Sequence, residues 1–284
     1  MNATVLLGLP VKEKIKAEIQ ADILANKLSP TLTIVQVGDK EDSNIYIEQK
    51  KKFGASLGIV VEHLHFGNDI TTPELLSYIE GLNRDTDVNG VIVQLPLPEH
   101  LDSELIIQSI NPQKDVDGLT LNNISKLLQG SVSGFIPATA MAVMALLDDY
   151  HINLAGKHMV MVGRSDLVGK PTALLALARD ASVSVIHSKS DNKEEMTKTA
   201  DVLVVACGKT QMVNKAWIGS KMPVVVDVGI NRLNGKLVGD VDFNDVLPFV
   251  SAISPVPGGV GPLTVACLFR NVVLATKMQK QNMI

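Results

Sequence analysis

Tyr46 and Lys50 stand four residues apart in the stretch YIEQK, so on a helix they share one face. Burial of that face, with Lys51 and Lys52 alongside, would lower the proton affinity of the Lys50 amine and make it a usable acid and base. The same spacing also describes a lysine that snorkels past a half-buried ring. Gln94 closes the apolar run GVIV and opens QLPLP. That puts it at the carboxyl end of a strand, where open α/β sheets gather their ligands. Asp115 and Asp117 sit in the glycine-closed turn KDVDG, where Asx-turn chemistry is the alternative to ligand binding.

A second constellation lies in MVMVGRSDLVGKP, residues 159–171. A strand, a glycine turn and a helix start there bring free backbone N–H groups to one point, which favours an anion. The spacing is not a P-loop: Gly163 and Gly169 are one residue too far apart, and Pro171 stands where a magnesium-binding Ser or Thr belongs. Nor is it G-x-G-x-x-G, since Arg164 and Ser165 follow Gly163 directly. Gly163 permits the tight turn, Gly169 permits close backbone approach before Lys170, and Pro171 suits the first helical turn. An ordinary strand-to-helix loop has the same outline. The next strand, SVSVI, ends in His187, Ser188 and Lys189, with no acid to bond a ribose 2′-hydroxyl. A hydroxyl and a cation at that tip, with Arg164 on the first turn, suit a 2′-phosphate, so the residues favour NADP over NAD.

These groups need a scaffold, and the periodicities of the chain outline one. Helical patterns in VKEKIKAEIQADILANK, NIYIEQKKKFGASLGI and TPELLSYIEGLNRD alternate with strand patterns in TLTIVQVG, VVEHLHF and GVIVQLPLP. That order predicts a mostly parallel sheet with helices on both faces. FIPATAMAVMALLDDY reads as a loop entering a long apolar helix that connects two domains. A doubly wound nucleotide-binding pattern follows: KHMVMVG, KPTALLALARD, SVSVIHS, EEMTKTA, DVLVVACG and MPVVVDVGIN. After SPVPGGVGPL, the segment TVACLFRNVVLATKM predicts a final helix packing back on the first domain.

Composition narrows the class. With 284 residues, 46% hydrophobic and 20% charged, the chain has material for two modest folded domains. A net charge of −4 offers no basic surface for nucleic acid. No apolar run reaches the ~18 residues of a membrane span. The start MNATVLLGLP has neither a basic beginning nor a small-residue cleavage site, so no secretory signal is expected. Cys207 and Cys267 read as reduced core thiols, which suits a cytoplasmic protein. No clustered His/Cys set suggests a metal.

In order along nearly the whole chain stand YIEQK, GVIVQLPLP, NPQKDVDG, VGRSDLVGKP, VIHS, DVGIN and PVPGGVGPLT. Together they closely resemble the bifunctional methylenetetrahydrofolate dehydrogenase/methenyltetrahydrofolate cyclohydrolase (FolD) family. The resemblance implies a cytoplasmic homodimer of two-domain chains with a cleft between the domains. An α/β catalytic domain that binds tetrahydrofolate, residues 1–137, would be completed by a C-terminal helix, residues 264–284. Residues 138–263 would form a Rossmann-type NADP-binding domain. The implied activity oxidises 5,10-methylenetetrahydrofolate with NADP⁺, then hydrolyses the methenyl cation to 10-formyltetrahydrofolate. On the matching positions, Lys50 is the catalytic lysine, Tyr46 packs against the folate, Gln94 bonds the lysine, and Asp117 anchors the pterin. Leu95 and Pro96 belong to the same substrate-binding stretch. Gly163, Arg164 and Ser165 hold cofactor phosphate, Ser188 lies near the 2′-phosphate, and Ile230 lies against the cofactor. Pro257, Gly258, Gly259, Val260 and Gly261 border the folate and the nicotinamide.

The chain departs from the family pattern F-x-P-C-T-P-x-G at FIPATAMA, where Ala138, Ala140 and Ala142 replace Cys, Pro and Gly. Alanines favour helix, so an earlier helix start or a different hinge is expected, with altered rates rather than lost function. Ser254 stands where Thr is common. Two other readings remain at this level: a dehydrogenase with little cyclohydrolase activity, and a folate- or nucleotide-binding relative without turnover.

Overall fold

The computed structural model describes residues 3–130 and 133–282. The outermost residues of the expected domains, 1, 2, 283 and 284, lie outside the described residues. The first stretch of chain runs β1 (Thr4–Val5), α1 (Gly8–Asn26), β2 (Thr31–Val37), α2 (Glu41–Leu57), β3 (Val60–Phe66), α3 (Thr72–Arg84), β4 (Gly90–Val93), α4 (Ser103–Gln108) and α5 (Leu121–Leu128). The second runs α6 (Ala138–Asp149), β5 (His158–Val162), α7 (Gly169–Leu177), β6 (Ser182–Ile186), α8 (Lys193–Thr197), β7 (Val202–Val205) and β8 (Val224–Asp227). It closes with β9 (Asn231–Leu233), β10 (Lys236–Val238), α9 (Phe243–Val246), β11 (Ala252–Ile253) and α10 (Gly261–Asn282).

The chain divides into two compact units, one of residues 15–138 with 265–284, the other of residues 1–14 with 139–264. In the first unit, a parallel three-stranded sheet has the order β3-β2-β4. Central β2, TLTIVQV, is buried along nearly its whole length, as a strand covered on both faces must be. Val35, Val37, Val91 and Val93 pack with Leu75, Ile79 and Ile106 to form the core. Helix α3 starts at a capping box in which Thr71 and Glu74 satisfy each other's backbone N–H groups. Helix α2 stops at Gly58, whose φ of 71° is the left-handed conformation glycine adopts freely. Helix α10 belongs to this unit from Val265 onward, and its Phe269 ring meets Phe53 with centroids 5.5 Å apart.

In the second unit, a parallel six-stranded sheet has the order β1-β11-β8-β7-β5-β6. A separate antiparallel hairpin, β9 with β10, stands beside it in sequence. Strand β5 lies between β6 and β7, so the chain reverses direction across the sheet at β5. In such a sheet the crevice at the carboxyl ends of the strands flanking that reversal takes the ligand.

The division differs from the sequence expectation at one end. Residues 1–14 join the second unit rather than the first. Thr4 and Val5 pair with Ala252 and Ile253, and the Leu6 amide donates to the Ile253 carbonyl at 2.8 Å. The Tyr150 hydroxyl accepts from the Leu7 amide at 2.8 Å. A two-residue strand carries no readable period. The altered connector enters its helix at Ala138, and Ala140 and Ala142 are fully buried there. Among the described residues, no helix is long and apolar enough to cross a membrane.

Candidate active site

Helix α2 begins at the carboxyl end of β2, and Gln94 follows the last residue of β4 directly. Lys50, on the helix that follows β2, and Gln94, just past β4, are brought together because β2 and β4 are neighbours in one sheet. The Lys50 amine donates to the Gln94 carbonyl oxygen at 2.9 Å. Gln94 is fixed from its other end, because its amide nitrogen donates to the Leu95 carbonyl at 3.0 Å. Its backbone N–H donates to the Val35 carbonyl of β2 at 2.8 Å. The lysine is thus oriented by a neutral partner that brings no counter-charge.

Burial pushes the Lys50 amine below the ordinary lysine value, and the Asp117 carboxylate opposes that shift. Burial likewise pushes the Asp117 carboxyl above its ordinary value; the Lys50 charge opposes this and the Asp115 charge adds to it. Two ionisable groups with displaced proton affinities, close enough to sense each other, suit proton transfer.

The structure separates the two aspartates of KDVDG. Asp115 is buried, and its carboxylate accepts from the Leu119 and Thr120 amides and the Asn123 side chain at 3.1, 2.8 and 2.8 Å. It holds the turn, as the Asx alternative has it. Asp117 has no side-chain hydrogen bond among the described residues and lines a small cavity with Val93, Ile107 and Leu119. Tyr46 is exposed on α2. Leu95 packs on the core beside Gln94, and Pro96 is exposed.

In the second unit, a pocket of about 250 Å³ opens at the carboxyl ends of β5, β6 and β7. Gly163, Arg164, Ser165 and Ser188 all line it. Gly163 has φ +124°, and a Cβ there would sit 2.1 Å from the Ala206 carbonyl oxygen, so only glycine fits between the two strand ends. A Cβ on Gly169 would sit 2.4 Å from the Gly163 oxygen, so α7 starts directly against the turn. The Ser165 hydroxyl accepts from the Val168 and Gly169 amides at 3.2 and 3.4 Å, which commits it partly to capping α7.

Lys193 and Lys209 also line the pocket, and sequence reading missed both. The Lys193 amine donates to the Ser188 carbonyl at 3.2 Å. Lys189, which sequence reading favoured, is not among the lining residues, and neither are Lys170, which pairs with Asp166, and Ile230, which is exposed. Three cations, two hydroxyls and no carboxylate among the described lining residues fit a dinucleotide carrying an extra phosphate. Of the two thiols, Cys267 is core as expected, but Cys207 is part of the pocket wall. Burial and the Asp240 carboxylate push the Cys207 thiol up to about 12, so it stays protonated and inert.

The glycine loop after β11 is held by the chain's beginning. The Gly8 amide donates to the Gly258 carbonyl at 2.8 Å, and a Cβ on Gly8 would meet the Gly259 oxygen at 1.9 Å. Pro257 is exposed, Gly258 takes φ +112°, Gly259 is buried, and Val260 turns into the core.

Residues 6–117 match the tetrahydrofolate dehydrogenase/cyclohydrolase catalytic domain, and residues 137–280 match the NAD(P)-binding domain of the same family. The bifunctional protein FolD of Chlamydia trachomatis is 46% identical over 276 residues, 94% of this chain and 96% of its own. The crystal structure of the bifunctional FolD methylenetetrahydrofolate dehydrogenase/cyclohydrolase from Campylobacter jejuni superposes with a TM-score of 0.94. It is 41% identical, covering 97% of this chain and 99% of its own. The FolD of Trypanosoma brucei, solved with NADP cofactor and an inhibitor, superposes with a TM-score of 0.92 at 32% identity. That match covers 100% of this chain and 99% of its own.

Proposed function

The chain belongs to the tetrahydrofolate dehydrogenase/cyclohydrolase family, and from that premise we propose that a single folate site built around Lys50 serves both of its reactions. The protein is a bifunctional enzyme, a methylenetetrahydrofolate dehydrogenase and a methenyltetrahydrofolate cyclohydrolase. It carries an NAD(P)-binding domain. A bound oxidised nicotinamide would supply the hydride acceptor that turns the methylene carbon into the methenyl cation.

Two nitrogens already activate that carbon, so the dehydrogenase step asks the protein for position above all. Asp117, with no other hydrogen-bond partner among the described residues, accepts from the pterin ring and fixes it. Tyr46 packs against the folate; Leu95, Pro96, Pro257, Gly258, Gly259 and Val260 border it. Gly163, Arg164 and Ser165 hold phosphate, Arg164 and Ser188 recognise the 2′-phosphate, and Ile230 lies against the cofactor. This assignment makes NADP the preferred cofactor. The cations lining the pocket, and the lack of a carboxylate among its described lining residues, support that preference.

Hydrolysis asks for proton transfer. Water adds to the cationic carbon and loses one proton, giving a neutral hydroxyl adduct. N5 then gains a proton, the carbon–N5 bond breaks, and the adduct's hydroxyl releases its remaining proton to solvent as the formyl group forms on N10. Lys50 takes the first proton and returns it to N5. Gln94 keeps the amine in place without adding charge. The observation that carries this reading is the 2.9 Å bond from the Lys50 amine to Gln94, in surroundings that hold the amine below its ordinary value.

The test is direct. Lys50→Met, given methenyltetrahydrofolate, should show no hydrolysis above the spontaneous rate. Hydrolysis at the parent rate would remove Lys50 from the mechanism. The family resemblance supports reading the enzyme further as a cytoplasmic homodimer.

A further inference from the structure

Asp240 is fully buried between the loops that follow β7 and β8, with no cation bonded to it among the described residues. Four N–H groups donate to its carboxylate, and the Cys207 thiol bonds it as well. One oxygen accepts from the Cys207 and Gly208 amides at 2.6 and 2.9 Å. The other accepts from the Lys209 amide at 2.7 Å and from the Asn231 side-chain amide at 2.8 Å. A buried carboxylate is tolerated only when its oxygens are fully bonded, and here both are. Neighbouring glycines make the room: a Cβ on Gly229 would fall 2.2 Å from the Asp240 carboxyl carbon.

The groups it holds matter because of where they lie. Cys207 and Lys209 line the pocket at the reversal of the sheet, and Asn231 follows Ile230 directly. Asp240 is itself held by Asp227, whose carboxylate accepts from the Asp240 amide at 3.1 Å and from the Val241 amide at 2.9 Å. Asp227 in turn donates its backbone N–H to the Ser254 hydroxyl at 2.8 Å, one residue before Pro255. A chain of three buried polar side chains therefore runs from the pocket wall to the glycine-rich loop.

We propose that Asp240 is a positioning residue for cofactor binding: it clamps the Cys207–Lys209 wall to the Ile230–Asn231 loop and so sets the shape of the nucleotide pocket. Asp240 touches neither cofactor nor substrate; it acts through the backbone it holds. The inference rests on the reading of this pocket as the nucleotide site.

Asp240→Asn tests it. Turned one way, the new NH₂ faces the Cys207 and Gly208 N–H groups and two bonds are lost. Turned the other way, it faces the Lys209 N–H and Asn231, whose amide can turn to accept, so at least one bond is lost. The Michaelis constant for NADP⁺ should rise about tenfold or more. The constant for methylenetetrahydrofolate should not move, and methenyltetrahydrofolate hydrolysis without nucleotide should keep the parent rate. A fold-wide role would lower both activities together, and that outcome overturns the proposal. So does a folded variant with an unchanged NADP⁺ constant. Asn231→Ala leaves the three backbone donors in place and covers the case in which the first variant does not fold. It should raise the NADP⁺ constant by about threefold, and no change would overturn the proposal. Arg164→Ala serves as the control: a rise there without one in Asp240→Asn defeats only the clamp, whereas no rise there defeats the pocket assignment itself.

Discussion

At the residue scale, chemistry depends on a lysine kept partly out of water beside a carboxylate. The free amine is the form that takes a proton from water, so cyclohydrolase activity should rise with pH through the Lys50 titration. Burial moves that titration below 10.5, and Asp117 moves it back up. Removing the carboxylate in Asp117→Asn should therefore shift the rising limb of the hydrolysis rate to lower pH, measured at saturating methenyl-folate. A limb that stays put or moves up would mean that the titrating group is not Lys50. Residue type and spacing alone reached Lys50 and Gln94 separately, and only the family resemblance implied a bond between them. Their bond joins positions 44 apart and exists only because β2 and β4 are neighbours. Residue type and spacing did not distinguish Asp115 from Asp117, because both lie in one turn, and only the family resemblance singled out Asp117; which of them spends its oxygens on that turn is a matter of the backbone path.

At the element scale, the cofactor turn works because a helix starts in contact with a strand end. Gly169→Ala would drive a methyl group into the Gly163 carbonyl, 2.4 Å from the ideal Cβ, and backbone does not yield easily. The expected result is a loss of about 1–3 kcal/mol of stability, read as a lower thermal midpoint. A weaker affinity for nicotinamide nucleotide should accompany it, while hydrolysis without nucleotide persists. An unchanged midpoint and an unchanged nucleotide affinity would show that the close approach is not required. The long buried strands and amphipathic helices were legible because their periods repeat over many residues. The short strands β1 and β11, the β9–β10 hairpin and the helices α4, α5 and α9 were not, since two to eight residues give too little pattern. Lys193, Lys209 and Asp240 escaped for another reason. Each takes its role from loops that follow different strands, and only the strand order β6-β5-β7-β8 brings those loops together.

At the scale of the whole molecule, two units with separate sheets divide the work between folate chemistry and nucleotide binding. Arg164→Ala should raise the NADP⁺ requirement more than the NAD⁺ requirement, because only the former carries the 2′-phosphate. Equal changes in the two Michaelis constants would undo the phosphate assignment. Sedimentation velocity should give a species of twice the 30.5 kDa chain, as the homodimer proposal requires. Strand β3 is the outer strand of its sheet and Val60 on it is 56% exposed, which leaves an edge open to pairing. The claim that unites these scales is that both reactions use one folate site. A folate analogue without the one-carbon bridge tests it most directly. Its inhibition constant would be measured in the dehydrogenase and cyclohydrolase assays at the same pH and nucleotide concentration. Competitive inhibition of both reactions with the same constant is the predicted result; inhibition of one reaction alone, or constants that differ about tenfold or more, would contradict a shared site.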